Sequence, residues 1–338
     1  MSDAARSLVE SASGIADQIR PGALFRRLIE EFAKGNGVHA YLFTGSDGVG
    51  KRTLAMQCAM AALCLADAKP CFTCPPCVRF QNGTHPDVKR ISGEKSIGVD
   101  TIREAVRLTG EHTYEGGRRV ILIEKAERMT PQAQNSLLKT LEEPSEGTFF
   151  VLTAEEVSSL LPTVVSRCRV TPIPLWTQEE MTPALKKLGM PDSQVEELSV
   201  LSSGSIGSAI KMWRDPAYGE MRKRILQTVF AMSSEKDVFS ISNAQREEKE
   251  QADMFLTLLE SLVREVFLVR LGQLSPQIIH SYPDRWRSAG ESAPIPSLQR
   301  IMDAIFFARR RKASQVSWQA VLEELLLKIT EEIKAWQP

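Results

Sequence analysis

No apolar run in the chain approaches 18 residues, so a membrane span is not expected. The first residues, MSDAARSLVESASG, lack the basic stretch followed by an apolar one that marks a secretory leader. Neither charge is in excess. Lys and Arg number 42, as do Asp and Glu, which argues against holding nucleic acid by bulk electrostatics and leaves room only for a local basic patch. Cysteine is sparse, six in 338 residues, and with no sign of export a disulfide framework is disfavoured. No internal repeat or low-complexity tract is visible, which removes repeat arrays from consideration.

What is present starts with a loop that itself lacks one group. Gly45-Ser46-Asp47-Gly48-Val49-Gly50-Lys51-Arg52 follows the phosphate-loop pattern G-x-x-x-x-G-K-[ST] up to its last position. There, glycines let backbone N–H groups close around phosphate oxygens, the lysine neutralises them, and the following hydroxyl holds Mg²⁺. Arg52 stands in the hydroxyl's place, and a guanidinium has no lone pair for a metal. Thr53 carries a hydroxyl, but about 100° further round the helix. The setting has the required order: a short apolar run, His39 to Thr44, then the glycines, then a helix-forming stretch from Lys51 to Leu65. A glycine-rich turn in an unrelated α/β protein is the plainer alternative.

A second apolar strand, Val120 to Ile123, ends in Glu124-Lys125. In phosphate-loop ATPases this place carries one acid for the metal shell and another to polarise the attacking water. Glu124 suits the first task, whereas Lys125 has no basic lone pair at neutral pH for the second. Two defects thus fall where metal-assisted hydrolysis is most exposed to damage. With the metal gone, Arg52 is expected to pair with Glu124.

The remaining cysteines suggest metal chemistry of another kind. Cys71, Cys74 and Cys77 form C-x-x-C-x-x-C, with Cys64 seven residues upstream. Four thiolates at this spacing suit a tetrahedral, closed and hence structural Zn²⁺ site. Reduced thiols without metal are the alternative. Cys58 and Cys168 fall outside the spacing and read as buried thiols.

Length and a 43% apolar fraction allow two or three packed domains. Up to about Thr171, strands at 41–44, 88–91, 120–123, 149–153 and 169–173 alternate with amphipathic helices, as in a parallel sheet covered by helices. Short helical pieces then run from Thr177 to about Trp213, broken at Gly189-Met190-Pro191 and at Ser202 to Ser205. The rest is helical. Phe255, Leu258, Leu259, Leu262, Val266 and Leu271 share one face, as do Trp318, Val321, Leu322, Leu325, Leu326, Ile329 and Ile333. Ser288 to Ser297, with two prolines and a glycine, reads as a loop. The run Arg309-Arg310-Arg311-Lys312 reads as a solvated face or partner contact before a DNA contact.

HAYLFTGSDGVGK (39–51), the cysteine cluster, Thr84-His85-Pro86-Asp87, NSLLKTLEEP (135–144) and Ser166-Arg167-Cys168 occur in the order found in bacterial sliding-clamp loaders. The chain resembles the delta-prime type of DNA polymerase III subunit, densely over residues 14–172 and thereafter in helical layout and scattered residues. The resemblance implies an α/β P-loop (AAA+) domain with a parallel sheet at 1–172, its zinc module at 64–77, a small helical lid at 173–215 and an all-α collar for oligomerisation at 216–338. It implies that Arg167 serves a neighbouring subunit's nucleotide site as an arginine finger. Gly207 stands where active relatives place a nucleotide-sensing arginine, a third departure beside Arg52 and Lys125.

The expected protein is therefore a non-catalytic clamp-loader subunit within a DNA-directed DNA polymerase holoenzyme. Gly45, Gly48, Gly50, Lys51 and Thr53 would be its vestigial phosphate loop, without ATP hydrolysis and with nucleotide binding left open. Structural zinc would sit on Cys64, Cys71, Cys74 and Cys77. Its partners would be gamma/tau and delta subunits in a hetero-pentamer, with the sliding clamp and primer-template DNA reached through the assembly, all cytoplasmic and away from membranes. The alternative is a gamma/tau-type ATPase motor.

Overall fold

The computed structural model describes residues 22–93, 96–115, 117–246, 251–273, 279, 282–313 and 317–336. The stretch MSDAARSLVESASG lies outside them. Five strands form one sheet: β1 (Ala40–Thr44), β2 (Val88–Ser92), β3 (Arg119–Glu124), β4 (Thr148–Ala154) and β5 (Arg169–Pro172). Their order is β2-β3-β4-β1-β5, and all pairings are parallel. The strands match the five apolar runs closely, because a parallel sheet covered on both faces needs continuous apolar segments.

Alternation along each strand splits the core into two layers. Tyr41, Phe43, Val120, Leu122, Phe149 and Val151 face one side with α1 (Ala23–Lys34) and α2 (Lys51–Leu63). Leu42, Ile121, Ile123, Phe150 and Leu152 face the other with α4 (Val99–Thr109), α5 (Pro131–Glu142) and the short α6 (Pro162–Val165), α3 (Pro75–Gln81) lying in the cysteine module. Helix α2 is buried nearly all round, so its composition carries no amphipathic stripe. Arg118, just before β3, ties α1 to α2, donating through Nη1 to the carbonyls of Phe32, Ala33 and Ala62 near the ends of the two helices.

Contacts group the chain into two compact units, Met1–Met190 with Gly204–Gly207, and Pro191–Ser203 with Ser208–Pro338. The three short helices after the sheet are α7 (Gln178–Lys187), capped by a reciprocal Thr177/Glu180 box, α8 (Asp192–Leu201) and α9 (Ile206–Arg214). The second unit continues with α10 (Pro216–Thr228), α11 (Glu235–Arg246), α12 (Ala252–Arg270), α13 (Asp284–Ser292), α14 (Ile295–Ala313) and α15 (Trp318–Lys334). All seven apolar positions expected on α15 are buried. On α12 all but Leu271 are buried: the helix stops at Arg270 and Leu271 is exposed.

The expected loop at 288–297 is instead the end of α13, a two-residue break and the start of α14. Pro296 lies in the first turn of α14, where a missing N–H costs nothing, so proline here starts a helix. Gly290 lies inside α13 because a Cβ there would come within 2.7 Å of Val269 on α12. At the heart of this unit Glu265 is fully buried and accepts two hydrogen bonds from Arg222, at 2.9 Å each, and one from the Tyr282 hydroxyl. Among the described residues no helix is long and apolar enough to cross a membrane.

Candidate functional site

The phosphate loop joins the C-terminal end of β1 to α2, the position at which open α/β sheets bind ligands. Gly45 has φ 141°, and a Cβ on it would lie 2.5 Å from the Ile173 carbonyl, so only glycine fits. Gly50, at φ 99°, caps α2 in a left-handed conformation. Lys51 is buried, and Nζ donates to the carbonyls of Gly45 at 2.6 Å and Ser46 at 2.9 Å. Burial pushes its pKa down, against the opposing pull of Asp47, Glu155 and Glu127. Thr53 is half-buried on α2.

The expected ion pair is present. Arg52 Nε lies 3.0 Å from Glu124 Oε2 and donates to Oε1 at 3.1 Å. A second cation joins it, with Arg90 Nη2 3.2 Å from Glu124 Oε1. Lys125 is exposed in a left-handed conformation, φ 53°, with its backbone N–H bound to Thr153 Oγ1. The C-terminal end of β3 thus presents no second acid directly after Glu124. Glu127, two residues on, is half-buried with Oε2 unpartnered, and burial pushes its pKa up. Sequence reasoning passed over Glu127 and Glu155, because no spacing rule links them to Lys51.

A further segment rests on the loop's backbone. Ser205 Oγ donates to the Asp47 carbonyl, Gly207 N–H to that of Gly48 and Trp176 Nε1 to that of Val49, each at 2.9 Å. A Cβ on Gly207 would meet Gly48 Cα at 2.7 Å. The absence of a side chain at 207 is therefore a packing requirement. Trp176 was not foreseen as part of this site.

The cysteine module is built from the end of α2 and the start of α3. Cys64 caps the former, Cys74 caps the latter, and Cys77 lies in its first turn. The four Sγ atoms of Cys64, Cys71, Cys74 and Cys77 lie within 4.8 Å of one another, with Cys64 to Cys74 at 3.8 Å and Cys71 to Cys77 at 4.0 Å. Tetrahedral zinc with Zn–S near 2.3 Å requires S to S separations of about 3.8 Å, so the donor set fits. Backbone N–H groups of Thr73 and Cys74 hold the Cys71 thiol down to about 6, which favours the thiolate a metal needs. Cys58 is fully buried and Cys168 half-buried, outside the cluster.

Thr84-His85-Pro86-Asp87 forms the turn into β2. His85 Nδ1 accepts the Asp87 N–H at 3.1 Å, and the fully buried Asp87 carboxylate accepts from Tyr114 N, Glu115 N and Arg119 Nη2. Arg167 follows α6 and its guanidinium is bound to Glu142, the last residue of α5. Three of the four cations in the basic run on α14 are paired inside their own unit, Arg309 with Glu260 at 2.8 Å, Lys312 with Asp253 at 2.6 Å and Arg311 with Glu324, while Arg310 lies over the Phe306 ring.

The model of a family described as DNA polymerase III, delta subunit, matches residues 21–176. The chain is 27% identical over 328 residues to DNA polymerase III subunit delta′ of Bacillus subtilis (strain 168), spanning 93% of this chain and 97% of that protein. It is 32% identical over 234 residues to subunit delta′ of Escherichia coli (strain K12), spanning 68% of this chain and 70% of that one. Among solved structures, a DNA polymerase III gamma subunit-related protein of Thermotoga maritima matches 91% of this chain and 99% of its own, with a TM-score of 0.50 and 19% identity. That last likeness speaks to the fold alone.

Proposed function

The chain belongs to the DNA polymerase III delta-prime subunit family, and from that premise we propose that it is the non-hydrolysing member of a clamp loader. In this reading it joins gamma/tau and delta subunits in a hetero-pentamer in the cytoplasm. The assembly, and not this chain alone, engages the sliding clamp and primer-template DNA during replication. Residues 1–172 act as the P-loop domain, 173–215 as the lid and 216–338 as the collar.

The observation that carries the reading is the Arg52–Glu124 pair at 3.0 Å, a protein cation on the acid that a magnesium shell would otherwise use. Lys125 supplies no base, Gly207 leaves no room for a sensing side chain, and Lys51 is satisfied by its own loop. These features favour a scaffold over the gamma/tau-type motor. Cys64, Cys71, Cys74 and Cys77 would hold zinc as a closed, structural site, supplying stability and no chemistry.

Arg167 gives this subunit its part in turnover. It is half-exposed after α6 and is offered to a neighbour's γ-phosphoryl, where an arginine supplied in trans stabilises transition-state charge. The test is ATP hydrolysis by a loader reconstituted with Arg167→Ala. Turnover at the adjacent site is expected to fall at least tenfold with assembly intact. Unchanged turnover would overturn the trans role.

A further inference from the structure

Arg167 does not hang free. Its Nε donates to Glu142 Oε1 at 2.8 Å, and Nη2 donates to the same oxygen. Nη1 donates to the Thr163 carbonyl at 2.8 Å and to Ser166 Oγ at 3.2 Å. Four of the five guanidinium hydrogens are thereby engaged, and the remaining one is on Nη2. The plane of the group is set by a carboxylate on one edge and by a carbonyl and a hydroxyl on the other.

The two edges belong to different elements. Thr163 and Ser166 are on or beside α6, local to the arginine, whereas Glu142 ends α5, 25 residues earlier in the chain. Helix α5 is a firm base. Thr130 caps it by accepting the Ala133 N–H, Leu137 and Leu141 are buried beneath it, and Gln134 accepts the Leu161 N–H at 2.7 Å, tying α5 to the entry of α6. Glu142 and its neighbour Glu143 are both acids at this helix end, and it is Glu142 that meets the guanidinium.

We propose that Glu142 is the positioning residue for Arg167, holding the guanidinium plane in one orientation for the phosphoryl group of a nucleotide bound by the adjoining subunit. The proposal rests on the reading of Arg167 as a group acting in trans. An arginine at a surface samples many rotamers, and all but one must be given up when it meets a transferring phosphoryl. Glu142 and Thr163 impose that loss within the subunit, before assembly. The ion pair is half-exposed, so it is weak enough for a phosphate oxygen to compete for one donor while the remaining bonds keep the orientation. The effect belongs to the transition state, where the arginine acts, and should appear in kcat and leave KM nearly unchanged.

The experiment is steady-state ATP hydrolysis by the complete reconstituted loader, with clamp and primed DNA, carrying Glu142→Gln, Glu142→Asp, Arg167→Ala or Glu142→Gln with Arg167→Ala. Glu142→Gln keeps the shape and removes the charge, and should lower kcat about threefold to tenfold with KM within twofold. Glu142→Asp keeps the charge one methylene back and should recover part of the loss. In the Arg167→Ala background, Glu142→Gln should add nothing. If Arg167→Ala lowers kcat and Glu142→Gln does not, the positioning role is refuted while the trans reading stands. If both are silent, both fall. If Glu142→Gln still lowers kcat without Arg167, or abolishes assembly in either background, Glu142 acts by another route and the proposal is overturned.

Discussion

Removing Arg52 and removing the charge of Glu124 should have unequal consequences, although the two form one ion pair. Arg52 has 43% of its side chain exposed, so its contribution is that of a surface pair, about 0–1 kcal/mol. Glu124 is only 14% exposed and holds Arg90 as well as Arg52. Arg52→Ala leaves Glu124 still paired with Arg90 and should cost under about 1 kcal/mol. Glu124→Gln leaves two guanidinium groups facing each other without a carboxylate, and should cost about 2 kcal/mol, the scale of lost charged hydrogen bonds. In the double variant Arg52→Ala with Glu124→Gln, relief of that repulsion should make the sum sub-additive. Urea denaturation of the three variants, with m-values compared, measures all of this. An Arg52→Ala cost above about 2 kcal/mol, or equal to that of Glu124→Gln, would show that Arg90 is no substitute and that the site is drier than its exposure suggests.

The purified chain should show no Mg²⁺-dependent ATP turnover; turnover abolished by Lys51→Ala would promote the motor reading. Metal analysis should find about one zinc per chain, reduced by Cys74→Ser, and a metal-free but fully folded wild type would contradict the closed tetrathiolate site. Burial holds the His85 pKa below its ordinary 6.5, so the unfolded chain takes up the proton first as pH falls. The contribution of His85 to stability should therefore be flat above about pH 6.5 and decline below it, by at most about 1.4 kcal/mol per pH unit. His85→Asn, which still offers an acceptor to the Asp87 N–H, should flatten that decline in urea midpoints taken from pH 7.5 to 5; an unaltered decline would assign it to other groups.

Much of the protein is legible in local pattern. The five strands, the glycines of the phosphate loop, the cysteine spacing and the apolar faces of α12 and α15 each depend on residues a few positions apart, where strand and helix periods act directly. The arginine at 52, where the phosphate-loop pattern has a hydroxyl, is equally local. Local reasoning fails where proline and glycine have tertiary causes: Gly290 is set by Val269, and Pro296 starts a helix that turn statistics read as a loop.

The site's charge balance is of the other kind. Arg52 meets Glu124 across 72 residues of chain, Trp176 reaches Val49 across 127 and Ser205 reaches Asp47 across 158. Motif knowledge could pair the first, since in phosphate-loop ATPases the corresponding two positions converge on one metal. It could not supply Arg90, Glu127, the hydrogen bonds by which Ser205 and Gly207 rest on the loop, or the carboxylate of Glu142 beside Arg167. Composition and period determine which segments become strands and helices, because those preferences arise from neighbouring backbone and side-chain sterics. Which charges meet is decided by sheet order and helix packing, which bring together side chains whose sequence separation carries no signal of their contact.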